Sequence, residues 1–320
     1  MTENFKYLFG PVPSRRLGQS LGVSPIPPKT CNYSCVYCQI GRTTNFTNTR
    51  QDFFPKEEIL SEIKSFLKKP SNFDFITFVG EGEPTLYKSL GWLINSTKKL
   101  TDKPIAIITN GALFYDSTVR KELLGADVIL PTLDAGTQEL FKRINRPIKS
   151  LFIDEIIRGM IDFRSEFAGQ IWMEVMLVKG LNDDIKAISK IKEILEKMHC
   201  DRIYVNVPIR PPAENWVEIP DKERIVEICK ELNAYNIAHY ESIKGFQINK
   251  EDDLREQILK ITTRHPLREN QIKSMLNLSE QEAILLLQTL AEEKKLRRIE
   301  YNNQIFWINA KSRIKNKKNG

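Results

Sequence analysis

The chain has 320 residues, of which 41% are hydrophobic and 28% charged. That composition supports a sizeable core and excludes a disordered chain, a collagen-like fibre and a coiled-coil rod. Lys and Arg number 48 against 41 Asp and Glu, a net charge of +7 that favours an anionic partner without demanding one. No apolar run approaches the roughly 18 residues of a membrane helix. The amino end, MTENFKYLFGPVPSRR, lacks the basic start, apolar stretch and small-residue cleavage site of a secretory signal. The expected compartment is the cytoplasm, with no membrane partner.

Residues 10–28, GPVPSRRLGQSLGVSPIPP, are rich in Gly and Pro and predict a loop around one short strand near 20–26. The amphipathic stretch PKEEILSEIKSFLKK then opens an alternation of helices with apolar runs at 73–80, 104–111, 126–135, 171–178 and 202–207. Further helical patterns fall at 151–167, 183–198 and 220–233. Short strands alternating with helices mean βα units and a parallel sheet, and near-continuous apolar runs fit strands covered on both faces. Six strands are expected, counting the one near 20–26. Gly80–Pro84, Thr109–Gly111, Asp134 and Asn206 sit at or just past the carboxyl ends of these strands. That edge is where α/β sheets and barrels bind ligands.

Past residue 250 the pattern changes. Helices are predicted at 251–264, 268–276 and 279–293, the third with a capping box of Ser279 and Glu282. LRRIEY and QIFWI flank Asn302 and Asn303 as a hairpin. Three helices and a hairpin are the order of a winged helix, expected over 250–310 after a first domain of 1–245. The third helix carries Glu280, Glu282, Glu292 and Glu293 and no basic residue, with Ile284, Leu285, Leu286, Leu287 and Leu290 as its packing face. This argues against specific DNA reading. Lys294, Lys295, Arg297 and Arg298 lie instead in the wing and suit backbone phosphates. Residues 311–320 carry five basic side chains and no acid, and a disordered tail is expected there.

Of five cysteines, Cys31, Cys35 and Cys38 fall within eight positions, which fits metal or redox chemistry better than a disulfide scaffold. CNYSCVYC spaces its thiols C-x3-C-x2-C in a loop directly after a strand. Three thiolates there can hold three corners of a [4Fe–4S] cube and leave one iron open. A zinc site is the alternative, with Cys200, Cys229, His199, His239 or His265 as a remote fourth ligand.

Beyond these cysteines, the sequence resembles the radical SAM superfamily. Tyr37 stands immediately before the third cysteine, and GEGEPTL at 80–86 is similar to the Gly-Gly-Glu motif. ITNG at 108–111 and LDA at 133–135 resemble the segments ending the next two strands. GPVPSRRLG, KTCNYSCVYCQIGRT, MLVKGLND and NVPIRPPAE resemble, more narrowly, a branch related to the wyosine-base synthases of tRNA, over about residues 8–220. The resemblance implies an α/β fold, a partial (β/α)6 barrel followed by the winged helix. It implies a [4Fe–4S] cluster on Cys31, Cys35 and Cys38, with S-adenosylmethionine (SAM) on the open iron. Tyr37 would meet the adenine, and Gly82 and the Glu83 carboxylate the cofactor's ammonium. Thr109, Asn110, Asp134 and Asn206 would meet its ribose and carboxylate. Reductive cleavage of SAM to a 5′-deoxyadenosyl radical would then modify a macromolecule, RNA or tRNA ahead of protein, with reduced flavodoxin or ferredoxin as electron donor.

Arg15 and Arg16, before the first strand, and Arg210, in IRPPAE, are expected around the mouth as a clamp for a carboxylate or phosphate. Arg42 reads as an ordinary surface arginine, and Glu174 and Lys179 as polar positions facing either the cavity or outward. Cys200 and Cys229 read as buried thiols, too few for the auxiliary cluster of the archaeal wyosine synthases. Wyosine chemistry itself is therefore not carried over. Two rival readings stay open: an activase placing a radical on a partner protein, and an iron–sulfur regulator acting through the winged helix.

Overall fold

The computed structural model describes residues 5–68, 70–238, 254–269, 271–272, 279–312 and 314. β1 (Leu8–Ser14) and β2 (Gly18–Val23) form an antiparallel hairpin. β3 (Thr30–Cys31) and β4 (Asn45–Phe46) make a short parallel pair at the cysteine loop. The βα alternation then runs through β5 (Phe75–Phe78), β6 (Ile105–Thr109), β7 (Val128–Pro131), β8 (Gln170–Met176), β9 (Arg202–Asn206) and β10 (Tyr235–Asn236). The sheet order is β1-β2-β5-β6-β7-β8-β9-β10, parallel from β2 to β10. All six expected strands are present, and β1 and β10 extend the two edges. β1 corrects the loop expected at its position. Pro11 and Pro13 lack amide donors, yet an outer strand whose register shifts between Phe9 and Val12 tolerates them.

The connections are helical because each carries one apolar stripe. α1 (Lys56–Leu67) buries Ile59 and Ile63, with Glu57 and Glu58 in its first turn and Lys64 in its last, as the helix dipole favours. α2 (Leu90–Lys98), α3 (Ser117–Leu123), α4 (Gln138–Ile144), α5 (Ile153–Glu166), α6 (Ile185–Met198) and α7 (Lys222–Glu231) follow. In α6 the Asp184 side chain accepts from the Ala187 amide, and Ile188, Ile191, Leu195 and Met198 form the buried stripe. These stripes share one core with Ile76, Ile107, Ile129, Met173 and Val205 of the sheet.

The opposite sheet face has its own cluster of Leu17, Ala106, Val128, Leu130, Trp172, Tyr204 and Ile237. Phe75 of β5 meets Trp172 of β8 with ring centroids 6.1 Å apart, although β6 and β7 lie between them. Three strand spacings in a flat sheet come to about 14 Å, so the sheet curls into a trough with this cluster inside. Across the trough's open side, the Arg15 guanidinium in the β1–β2 turn donates to the Ile237 carbonyl beside β10 at 2.6 Å.

The C-terminal segment comprises α8 (Leu254–Arg264), β11 (Leu267–Arg268), α9 (Glu280–Glu292), β12 (Leu296–Tyr301) and β13 (Gln304–Asn309). Its antiparallel sheet has the order β11-β13-β12, and Ile258, Leu267, Leu287, Leu290, Leu296 and Trp307 pack together. The Ser279–Glu282 capping box is formed, and Asn302 and Asn303 both turn with positive φ, 48° and 56°. Of the helix expected over 268–276, residue 268 is strand, residues 269, 271 and 272 are helical, and 270 and 273–276 lie outside the described residues. The packing face of α9 is also narrower than expected. Ala283, Leu287 and Leu290 are buried, whereas Leu285 is 64% exposed and Ile284 37%, because a period of about 3.6 cannot turn four consecutive residues inward. The expected boundary at 245–250, and most of the expected tail, lie outside the described residues. Among the described residues no helix is long and apolar enough to cross a membrane.

The Tyr301 hydroxyl, nearly buried, donates to the Pro208 carbonyl at 2.8 Å and so joins this segment to the loop after β9. Tyr301→Phe leaves that carbonyl unpaired and is expected to lower the unfolding free energy by about 1 kcal/mol, read from urea denaturation of the full chain.

Candidate active site

The cysteine loop follows β2 and is held by backbone hydrogen bonds from two sides, residues 144–145 and residue 214. The Ser34 amide donates to the Asn145 carbonyl at 3.0 Å, the Val36 amide to the Ile144 carbonyl at 2.9 Å, and the Glu214 amide to the Val36 carbonyl at 3.0 Å. Glu214 also receives a bidentate pair from Arg42, at 2.7 and 2.9 Å, and Arg146 at 2.5 Å. Arg42 is thus exposed yet fastened, more than the ordinary surface arginine expected. Cys31, Cys35 and Cys38 are each half-buried, and burial pushes all three thiols above their ordinary value. Donors nevertheless point at two sulfurs. The Tyr33 amide lies 3.4 Å and Asn110 Nδ2 3.7 Å from Cys31 Sγ, and Asn145 Nδ2 3.6 Å from Cys35 Sγ. Thiols that resist ionising alone, with amide donors already aimed at their sulfurs, suit a cationic metal cluster that supplies the missing charge.

Gly82 explains the next turn. A Cβ there would stand 1.8 Å from the Thr30 carbonyl oxygen, so only glycine lets the GEGEP turn press on the strand that carries Cys31. The Glu83 amide donates to that same carbonyl at 3.0 Å. Its carboxylate, 1% exposed, accepts from the Thr85 amide at 3.0 Å, the Thr85 and Thr109 hydroxyls at 2.6 Å, and the Asn110 amide at 2.7 Å. The sequence reading gave this carboxylate to a cofactor ammonium. Its observed work is to cap the 3-10 turn Pro84–Leu86 and tie it to the end of β6, and Thr109 is drawn into the same tie. Asn110 reaches the cysteine loop itself, donating to Asn32 Oδ1 at 2.7 Å.

On the other flank Tyr37 donates to Asp134 Oδ2 at 2.5 Å, and Asn145 Nδ2 donates to the same oxygen at 2.7 Å. Asp134 Oδ1 accepts from the Met176 amide at 2.9 Å. Burial raises the Asp134 carboxyl to about 6 against these donors. Sequence reasoning missed Asn32, Asn145 and the fully buried Asn182, which donates to the Asp134 and Met176 carbonyls at 2.9 Å each. Asn32 and Asn182 lie inside quoted motifs, but Asn145 carries no sequence signal.

Asn206 stands apart from this group. With Arg15, Arg16 and Glu174 it lies on the inner face of the trough: Arg15 Nη1 donates to Asn206 Oδ1 at 2.9 Å, Asn206 Nδ2 to Glu174 Oε1 at 3.3 Å, and Arg16 pairs with Glu174. Arg15 and Arg16 therefore do not ring the mouth as expected, because the hairpin turn that holds them sits at the amino end of β2 and aims inward. Lys179 pairs with Asp221 at the surface.

Arg210 donates to Gln39 Oε1 at 2.9 Å, and Gln39 Nε2 lies 3.0 Å from His265 Nδ1. Arg264 stands 3.7 Å from Glu81 and over the Phe9 ring, so the C-terminal segment meets both loops that frame the cysteines. His265 is thus held by Gln39. Cys200 and His199 precede β9, at the opposite edge from the cysteine loop, and His239 lies outside the described residues. Among the described residues no three His, Cys, Asp or Glu side chains converge as ligands of a single metal ion.

Three thiols and their supporting amides thus stand at the carboxyl edge of a curled α/β sheet. The chain belongs to the radical SAM superfamily, whose sequence pattern matches residues 26–191. Members of this superfamily use a [4Fe–4S] cluster and SAM on a partial barrel. A UPF0026 protein of Methanocaldococcus jannaschii is 38% identical over 97% of this chain and 98% of its own. A probable dual-specificity RNA methyltransferase, RlmN, of Thermotoga petrophila is 30% identical over 61% of this chain and 57% of its own. Among solved structures, a radical SAM methyltransferase from Sphaerobacter thermophilus has the same fold, with a TM-score of 0.54 and 16% identity over 69% of this chain and 66% of that one.

Gly82→Ala must displace the Thr30 backbone. Iron bound per chain after anaerobic reconstitution is expected to fall to a small fraction of wild type. Asn145→Ala strips donors from Cys35 and from buried Asp134. It is expected to cost about 1–3 kcal/mol in thermal or urea unfolding, and to shift the cluster's reduction potential by voltammetry.

Proposed function

We propose that Cys31, Cys35 and Cys38 hold the [4Fe–4S] cluster, and that the chain is a radical SAM enzyme acting on RNA. When bound, the cluster and SAM supply reductive carbon–sulfur cleavage to a 5′-deoxyadenosyl radical. The observation that carries this reading is the convergence of amide donors and two locked flanks on one cysteine loop at the sheet's carboxyl edge. Gly82 and the Glu83 turn fix the cysteine strand from one side. Tyr37, Asp134 and Asn145 fix it from the other, and Asn110 closes the gap. These residues position; none needs to move a proton. Electrons come from reduced flavodoxin or ferredoxin.

RNA is favoured over protein by the likeness to an RNA methyltransferase and by the net charge of +7. In this reading residues 1–245 form the catalytic barrel and 250–310 a winged helix that rests on RNA backbone. Lys294, Lys295 and Arg298 are exposed on its hairpin side, while Arg297 is tied to the Ser312 carbonyl. The acidic surface of α9 suits contact through the hairpin rather than through a reading helix.

The test is anaerobic reconstitution with iron and sulfide, then dithionite and SAM, with chromatography for 5′-deoxyadenosine. Wild type is expected to produce it and Cys35→Ala to stay at background. Bulk tRNA from a strain lacking the protein should then gain a new nucleoside by mass spectrometry. A chain that takes up zinc and never a cluster overturns the reading.

A further inference from the structure

Among the described residues, Arg15, Arg16 and Arg210 bring more positive charge to the trough and its cysteine-loop end than carboxylates offset there. Arg16 has the Glu174 carboxylate. Arg15 has only neutral partners among the described residues, Asn206 Oδ1 at 2.9 Å and the Ile237 carbonyl at 2.6 Å, and Arg210 has only Gln39 Oε1 at 2.9 Å. Among the described residues, these three guanidinium groups thus share one carboxylate. They feel one another: burial lowers Arg15 and Arg16 to about 10 and Arg210 to about 9, and the charge of Arg15 depresses both of the others. None is sealed, however, since all three keep part of their surface open to solvent. Arg16 also lines an open cavity of about 750 Å³ at the amino-terminal edge of the sheet.

Two cations packed deeply against neutral acceptors are costly unless an anion joins them. Guanidinium forks match the oxygens of a phosphate and bind it in paired, charge-assisted hydrogen bonds. We propose that Arg15 and Arg210, beside the Arg16–Glu174 pair, form a subsite for a phosphate group of a ribonucleotide substrate, inside the trough and next to the cysteine loop. Gln39, which follows Cys38 and accepts from Arg210, is the link between that subsite and the loop. This rests on the reading of the chain as an RNA-modifying enzyme and names the part of the substrate that the interior would grip.

Full-length, cluster-reconstituted protein is titrated calorimetrically, without reductant and at constant ionic strength, with inorganic phosphate, uridine 5′-monophosphate, uridine and a short oligoribonucleotide. Both phosphate compounds are expected to bind and uridine to leave no signal; the oligoribonucleotide exceeding the mononucleotide assigns the phosphate to a strand, and the reverse to a free nucleotide. Arg15→Gln and Arg210→Gln should each weaken binding about tenfold, with Arg210→Lys weakening it less. Glu174→Gln should tighten it, because Arg16 then joins the subsite. A wild type that binds no phosphate overturns the proposal. So do glutamine variants that bind as wild type does, or a Glu174→Gln variant that weakens binding. Formation of 5′-deoxyadenosine by wild type is scored separately. Intact SAM cleavage without phosphate binding removes only the subsite, and phosphate binding without cleavage removes only the radical chemistry.

Discussion

Everything near the cysteines depends on one place where two stretches of backbone touch with no side chain between them. Gly82 lies so close to the Thr30 carbonyl that even a methyl group has no room, and the Glu83 amide closes the contact with a hydrogen bond. Because the contact is backbone on backbone, it cannot relax by a rotamer change. The strand bearing Cys31 is therefore set relative to β5. Through the Glu83 carboxylate it is also set relative to β6. A loop that must keep three sulfurs in fixed relation gains its rigidity from the sheet rather than from the sulfurs.

The second flank works differently. There a buried carboxylate, Asp134, gathers Tyr37, Asn145 and the Met176 amide, and so connects the cysteine loop with β7, β8 and the end of α4. Satisfying a buried carboxylate takes several donors arranged at once, which makes the site all-or-none in packing. One flank is held by shape and the other by hydrogen bonding, and the cysteine loop spans both.

How much of this could be read beforehand follows from separation along the chain. CNYSCVYC and GEGEP put their chemistry in contiguous residues, and the apolar runs behind them set the parallel strands by local pattern alone. The hairpin strand Leu8–Ser14 was obscured by its prolines, whose tolerance depends on being at an edge, a fact of the finished sheet. Glu83 and Arg15 were legible as polar residues, but their partners were not. Arg15 meets Asn206 across 191 positions, and Asn145 meets Cys35 across 110. No local pattern encodes such pairings, and the first of them spans a trough that exists because the sheet curls. The same curl turned arginines expected at a rim into an inward-facing set.

The seat of His265 against Gln39 has a consequence for acid conditions. Burial, with Arg210 and Arg264 adding their charge, pushes this imidazole down to about 3 from an ordinary 6.5. Seated there it stays neutral, while burial raises the Glu81 carboxyl beside Arg264 in the same seam. Once released from its seat, the same ring accepts a proton below about 6.5. Undocking is thus drawn forward as pH falls through that value, and the docked state is most secure at neutral and alkaline pH. An uncharged histidine is thus one of the contacts that hold the C-terminal segment, beside the Tyr301 hydrogen bond and the Arg264–Glu81 pair, and its share weakens in acid.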